Sequence, residues 1–581
     1  MTPTALLKQV EQAGLKISLQ DNNLKLEGAT QNIAPALVAA LRENKAALLS
    51  WLQQRAGSFP LTPLQQAYYR GRSPLFDGGG VANQVYHEIE GFWEVARLEQ
   101  ALQQVVMAHP ALRLRIVEDN AQFISEETPA ITRHDLRGLS EEEQQQARAR
   151  LREAKSHLML SPEEALLEVD VALLSDERMV LYINHDGMIV DGISMFLLFH
   201  HWHRHYQGEM DSTGYLAFDR HIEALQNERG KAAWHRSRDY WLARIATLPA
   251  APDLPQAVKA GDQTVRFRQR VVALEASAWQ QLQTQIRAYQ LTPATVLMAA
   301  WAETLHCWGA GDHFTLNVTV SERRPIHPQA FRTVGPFSAP LLVEVMRDTQ
   351  LTFSERAIAL QRRLHQDVDH RYFSGIEVMQ ELARERGLAA ARMPYTFNCT
   401  LGALEEVNGD ALQLFGEEVF TVSQTPQVLL DAFVFEQHGG LVIRLDGVDA
   451  SFPEGFLAAM AAGYQQMLSL LCHSESWQQS RFDLLPGEQR QRRDAVNATQ
   501  VPVMPRLLGD DFVVRAQQQP AAPALCTLAR QLSYGELYER VAEAAQWLKS
   551  QGVKRNTLVG LVTERSPEQV IGILAIVLAG A

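Results

Sequence analysis

The stretch Leu181–Phe196, LYINHDGMIVDGISMF, passes from an apolar, strand-like run into Asn184-His185-Asp186-Gly187, and a second Asp-Gly follows at Asp191-Gly192. Two aspartates five residues apart, just after what reads as a buried strand, decide how the chain is interpreted. A rigid strand feeding an exposed loop is a common seat for catalytic groups. Asp-Gly is equally an ordinary turn dipeptide. Outward from this point the pattern is mixed α/β. Strand-like alternation in VANQVYHEIEGFW (Val81–Trp93) and EVDVALLSDERMVLYINH (Glu168–His185) is interleaved with helical periodicity in EVARLEQALQQVVMAHPALR (Glu94–Arg113) and SEEEQQQARARLREAKSHL (Ser140–Leu158). A helical stretch rich in Trp and His and then the Pro-rich TLPAAPDLPQ (Thr247–Gln256) lead into a second mixed region of similar size. Two such units leave a cleft between them, where ligands are usually found.

A chain of 581 residues exceeds what one core can organise, so several domains are expected. Its 46% hydrophobic and 21% charged residues are those of a globular protein. A net charge of −13 without basic runs argues against nucleic acid as a partner. Cys307, Cys399, Cys472 and Cys526 lie far apart with no C-x-x-C spacing, which predicts reduced thiols in a cytoplasmic protein and neither a metal site nor a disulfide framework. The N-terminus lacks the apolar core of a signal peptide. The longest apolar run, VIGILAIVLAGA (Val570–Ala581), is too short to span a bilayer and reads as a buried helix, so no membrane partner is expected.

Residues 1–56 read as a separate αββα-type unit. TALLKQVEQAG forms a helix ended by Gly14, LKISLQDNNLKLEG two short strands about an Asp21-Asn22-Asn23 turn, and APALVAALRENKAALLSWLQQ a second helix opened by Pro35. Six Lys/Arg against four Asp/Glu make this segment cationic in an anionic chain. An open hairpin edge of that charge suits capture of an acidic peptide by strand addition; a simple N-terminal cap on the next domain is the alternative. Residues 57–235 and 236–480 carry the two α/β units, 481–505 a polar linker, and 506–581 the start of a further α/β unit that breaks off at Ala581.

Several motifs taken in order resemble the heterocyclization (Cy) domains of nonribosomal peptide synthetases, a branch of the condensation superfamily. FPLTPLQQAYYRGR (Phe59–Arg72) is similar to their opening signature. Where condensation domains carry H-H-x-x-x-D-G, Asp186 and Gly187 occupy the histidine positions, and His185 does not restore them by a one-residue slip. What stands here is D-x-x-x-x-D-x-x-S, Asp186 through Asp191 to Ser194, the pattern that separates Cy domains from ordinary condensation domains. HPALRLRIVEDNAQ (with Asn120 for a usual Gly), LPAAPDLP, LTPATVLMAAWAETLHCW, HRYFSGIEVMQEL and SQTPQVLLD (Ser423–Asp431, including Gln427) continue the resemblance in order. Residues 1–56 resemble a synthetase docking domain. LSYGEL (Leu532–Leu537) resembles the first core motif of an adenylation domain, whose phosphate loop does not follow, so activation of an amino acid is not expected of this chain.

The resemblance implies two chloramphenicol-acetyltransferase-like lobes in a V-shaped pseudo-dimer with a central tunnel, preceded by the docking domain. It implies peptidyl carrier proteins, upstream and downstream, as partners, with the acidic C-terminal tail of an upstream synthetase on residues 1–56. Phosphopantetheine then belongs to the carriers, and the domain itself binds no cofactor. The implied reaction joins a donor thioester to carrier-bound Cys, Ser or Thr and closes the amide to a thiazoline or oxazoline. Closing the ring demands a placed acid/base, and Asp431 matches the position implied to supply it. A carboxyl in an apolar tunnel is raised toward the useful range. Asp191 is expected to fix its loop by pairing with an arginine, and Asp186 to lie near the reacting amine. Ser194, Ser423 and Gln427 complete the matching positions. Two departures fall among the ring-closing residues. The family's F-T-S is Phe397-Asn398-Cys399 here, and its D-F-T is Pro336-Phe337-Ser338. Asn398 has no hydroxyl. If Pro394–Gly402 is a strand, Thr396 and Thr400 share the face of Asn398, and Thr400 is a candidate substitute. Amide condensation without ring closure, and an inactive docking scaffold, are the alternatives. A free-standing acyltransferase would need a histidine where Gly187 stands.

Overall fold

The computed structural model describes residues 3–20, 23–28, 34–76, 78–118, 121–209, 214–257, 265–404 and 408–581. Asp21 and Asn22 of the anticipated turn, and Asn120, lie outside them. The chain forms two compact units, Met1–Arg490 and Gln491–Ala581.

The first unit begins with the helix Pro3–Gln12, ended at Gly14 with φ +70°, and the antiparallel strands Leu15–Gln20 and Asn23–Gly28. The single helix expected next is two, Pro35–Glu43 and Lys45–Ala56. Asn44 breaks it: its backbone N–H and its side-chain amide both donate to Ala40 O, so the side chain competes for a helical acceptor. Trp51 of the second helix packs edge-on against Phe123, centroids 5.7 Å apart, which seats this segment on the lobe that follows.

That lobe is built on a five-stranded sheet in the order Glu417–Gln424, Gln84–Gly91, Met179–Asp186, Leu167–Leu173, Ile131–Asp135, all neighbours antiparallel except the last pair. Every residue of Met179–Asp186 is buried, as its unbroken apolar run requires of a central strand. The edge strand Glu417–Gln424 comes from far down the chain: the second α/β region lends a strand to the first. The other lobe has a six-stranded sheet in the order Ser338–Met346, His313–Ser321, Tyr395–Cys399, Leu430–Gln437, Gly440–Gly447, Arg268–Leu274. Its central strands Tyr395–Cys399 and Leu430–Gln437 run parallel, and the latter turns through His438-Gly439 (φ +50° and +70°) into Gly440–Gly447. Each sheet carries its own apolar core, one around Phe196, Trp202 and Leu181 and one around Trp301, Trp279 and Tyr464.

The second unit holds the hairpin Pro523–Cys526/Gln531–Ser533 and the helices Asp510–Gln518, Tyr534–Ser550 and Pro567–Ala579. Ser533 and Glu536 close a capping box at the start of Tyr534–Ser550, which explains the LSYGEL spacing. The apolar run expected to be a buried helix is the helix Pro567–Ala579, but only Ala575 and Ala579 are buried and Ile573 is half exposed. It packs against Tyr534–Ser550 and covers one face only. Among the described residues no helix is long and apolar enough to cross a membrane.

Candidate active site between the lobes

A cavity of about 530 Å³ lies between the lobes, lined by Tyr68, Asn83 and Asp191 from one and by Asn398, Asp431 and Asp446 from the other. The opening signature supplies one wall. Thr62 and Gln65 form a capping box that starts the helix Pro63–Gly71, Gln65 donates to Met188 O at 2.9 Å, and Tyr68 faces the cavity. At the helix end Arg72 reaches Asp186 in a buried ion pair.

The two aspartates of the opening stretch are turn residues held by cations. Asp186 accepts from Met188 N–H at 2.8 Å beside its contact with Arg72 and does not face the cavity. Asp191 caps the helix Gly192–Tyr206 through Ser194 N–H at 2.7 Å and receives Arg323 on both oxygens at 3.1 and 3.2 Å. Phe337 N–H (3.0 Å) and Ser338 Oγ (3.3 Å) also donate to it. Ser194 Oγ donates to Gly335 O at 2.7 Å and accepts from Gly335 N–H at 2.9 Å. Asp191 and Ser194 therefore bind the segment Gly335–Ser338 of the opposite half of the chain, and the Pro336-Phe337-Ser338 departure lies in that seam.

The C-terminal lobe places the other carboxyls. Asp431 opens the strand Leu430–Gln437 beside Tyr395–Cys399, with Thr396 directly opposite. Thr396 Oγ1 donates to Asp431 Oδ1, and Asn398 Nδ2 donates to the same oxygen at 2.5 Å. No cation touches the carboxyl among the described residues, and burial pushes its pKa up to about 6 against these bonds and a backbone one from Ala432. Asp446 stands opposite Asp431 on the next strand. It is 1% exposed and accepts only from Ser423 N–H at 3.2 Å and Gln269 Nε2 at 3.4 Å. Burial, reinforced by the charge of Asp431 and opposed by the Ser423 bond and the charge of Arg444, raises it to about 7.

The structure thus brings Asp431, Asn398, Ser423 and Asp191 together around one cavity. Thr400 also lines it, but its hydroxyl is spent on Val434 O at 3.1 Å, so the hydroxyl beside Asp431 is that of Thr396. Period-two alternation already put Thr396 on the right face. Gln427 is not among these groups: it is exposed, in the left-handed region at φ +64°, with its N–H on Gly78 O at 2.7 Å. Sequence reasoning missed Arg72, Arg323 and Asp446. The last was within reach, since Asp431 and Asp446 both stand seven positions from the His438-Gly439 turn, and a two-residue turn with both φ positive makes them partners.

Comparison with known proteins bears on this arrangement directly. The condensation-domain model matches residues 55–492. The chain belongs to the condensation-domain family. An AMP-binding enzyme model matches residues 512–581. Pyochelin synthetase PchF of Pseudomonas aeruginosa is 32% identical over 99% of this chain, and phenyloxazoline synthase MbtB of Mycobacterium tuberculosis 32% identical over 96%. The chain spans 32% and 39% of their lengths. Among solved structures, the EpoB cyclization-docking bidomain from Sorangium cellulosum is 31% identical with a TM-score of 0.68, covering 82% of this chain and 99% of that one. The nonribosomal peptide synthetase FmoA3 is 31% identical with a TM-score of 0.77, over 90% of this chain and 55% of that one. Within the family this chain is of the cyclization type, with the two acetyltransferase-like lobes of that fold. At Gly187, where a condensation-type domain carries a histidine, a Cβ would lie 2.3 Å from Asn83 Nδ2, so the Asn83 amide would have to swing away to admit one.

Proposed function

We propose that this chain condenses a carrier-bound donor thioester with carrier-bound Cys, Ser or Thr and cyclodehydrates the amide to a thiazoline or oxazoline. The observation that carries the reading is Asp431, a buried carboxyl facing the cavity with Thr396 and Asn398 on one oxygen and no cation beside it among the described residues. Amide formation needs chiefly that two thioesters be held together. Ring closure needs a proton donor and acceptor that exchange near neutral pH, and Asp431 has the environment for that. Thr396 provides the hydroxyl that Asn398 lacks, which favours ring closure over condensation alone. Asp186, in contact with Arg72, acts on the loop. Upstream and downstream peptidyl carrier proteins deliver the substrates on their phosphopantetheine arms, and residues 1–56 receive the acidic tail of an upstream synthetase along the two-stranded hairpin. The residue span 57–235 with 236–480 is the catalytic pair of lobes, 481–505 the linker and 506–581 adenylation-domain sequence.

The test supplies separately loaded donor and cysteinyl carrier proteins, then seryl and threonyl ones, and weighs the carrier-bound product by intact-protein mass spectrometry. A product lighter than the amide by one water supports the heterocyclase. Open amide alone would mean that the two departures have silenced ring closure, and no transfer with any pair would leave a docking scaffold.

A further inference from the structure

We propose that Asp446 is the proton donor to the departing water in ring closure, working as one half of a carboxyl pair with Asp431. This rests on the heterocyclase reading and goes beyond it.

The geometry comes from the hairpin. Asp431 and Asp446 are register partners on adjacent antiparallel strands, and directly opposed residues have Cβ atoms roughly 4.5–5.5 Å apart. Both line the same cavity. Two carboxyls so close do not both ionise readily, and they titrate as a pair. Their surroundings divide the roles. Asp431 takes two donors on one oxygen, Thr396 and Asn398, which favour its carboxylate. Asp446 is more deeply buried, and its bonds are 3.2 Å and longer. The proton shared by the pair therefore rests on Asp446, with the base beside it. The charged and titratable groups facing the pair leave this division intact. Arg444, two residues before Asp446, lowers that carboxyl somewhat by its charge without outweighing burial, and its guanidinium is bonded to Glu418, which also bonds His87 at 2.7 Å. Arg270 on the neighbouring strand is bonded to Asp449 at 2.6 Å. Tyr68 faces Asp431 across the cavity and is neutral, because burial and the nearby carboxylates raise its phenol well above the usual range. Asp186 and Asp191 are occupied by Arg72 and Arg323.

The step balances. After the side-chain thiol or hydroxyl has added to the amide carbon, the ring carries a hydroxyl and an N–H on adjacent atoms. Asp446 gives its proton to that hydroxyl as the C–O bond breaks, and the bonding pair leaves with water. The nitrogen lone pair forms the C=N bond, and Asp431 takes the N–H proton, whose bonding pair stays on nitrogen. One proton leaves the pair and one returns, so its charge is unchanged. Passage of the proton from Asp431 back to Asp446 restores the starting arrangement.

The experiment compares the full chain with its Asp446→Asn variant in the loaded-carrier assay, measuring amide and ring formation separately across pH. Ring closure in the variant should fall at least about tenfold more than amide formation, the lower end of what a placed acid contributes. The wild-type ring-closing rate should rise as Asp431 ionises and fall as Asp446 loses its proton, and the variant should lack the alkaline fall. Equal loss of both steps, or ring closure at the wild-type rate with both limbs kept, would make Asp446 a packing residue and overturn the proposal. If the wild type forms only open amide, the heterocyclase reading itself fails and takes this proposal with it. Infrared difference spectroscopy of protonated carboxyls gives a readout independent of turnover. Asp446 should lose its proton near neutral pH in the wild type, and at lower pH in Asp431→Asn, where the neighbouring charge is gone. No carboxyl titrating near neutral pH would also overturn the proposal.

Discussion

The loop after Met179–Asp186 and the hairpin Leu430–Gln437/Gly440–Gly447 each bury two aspartates, and they treat them in opposite ways. Asp186 and Asp191 each meet an arginine, Arg72 and Arg323, together with backbone donors. Asp431 and Asp446 meet only neutral donors. A guanidinium on a carboxylate fixes a backbone, whereas a buried carboxyl that meets only neutral donors keeps a proton it can exchange. Asp191 with Arg323 joins the two halves of the chain, Asp186 with Arg72 ties the end of the helix Pro63–Gly71 to its own lobe, and the second pair is the one proposed for the chemistry.

Five substitutions test that contrast. The largest effect is expected from Asp431→Asn, which should lower ring closure by about 10²–10⁴ while open amide accumulates, as read by intact mass. Next, Arg323→Met leaves Asp191 buried without its cation and should cost about 3–5 kcal/mol of stability, measured by denaturant unfolding. If it cost nothing measurable, Asp191 would not be the seam described here. Asp446→Asn should do the reverse. Its folded-state pKa of about 7 lies above the ordinary aspartate value of 3.8, so the wild type binds the proton more tightly when folded and loses stability as pH rises between those values. The variant escapes that loss and should be more stable than the wild type at about pH 8 by roughly 1–3 kcal/mol, with no advantage near pH 4. Thermal melts at the two pH values decide it. The smallest difference separates two threonines: Thr396→Val should slow ring closure about tenfold by removing one hydrogen bond to a charged group, and Thr400→Val should change it less than about twofold, since its hydroxyl serves only Val434 O.

Much of this was legible in the residues. Alternation and helical periodicity announced the strands and helices, and the motif order located Asp191, Ser194 and Asp431. Local pattern failed where the answer depends on distant partners. Nothing around Glu417 says that its strand pairs with Gln84–Gly91, because strand order is settled by tertiary packing. An arginine was expected beside Asp191, but only the fold shows that it is Arg323, and that Arg72 of the opening signature meets Asp186. Asn44 broke a helix that periodicity made continuous, and the Thr400 hydroxyl is taken up by Val434 O while Thr396 meets Asp431. Asp446 is the instructive case, since its pairing follows from one tight turn and needed only counting.

The borrowed strand Glu417–Gln424 has a consequence for how the chain is made. The edge of Gln84–Gly91 emerges from the ribosome more than three hundred residues before the segment that covers it. Throughout that interval the nascent first lobe presents an open row of backbone donors and acceptors, the kind of edge on which chains pair wrongly. Synthesis of this protein in isolation should therefore depend on how fast the ribosome reaches Gln424.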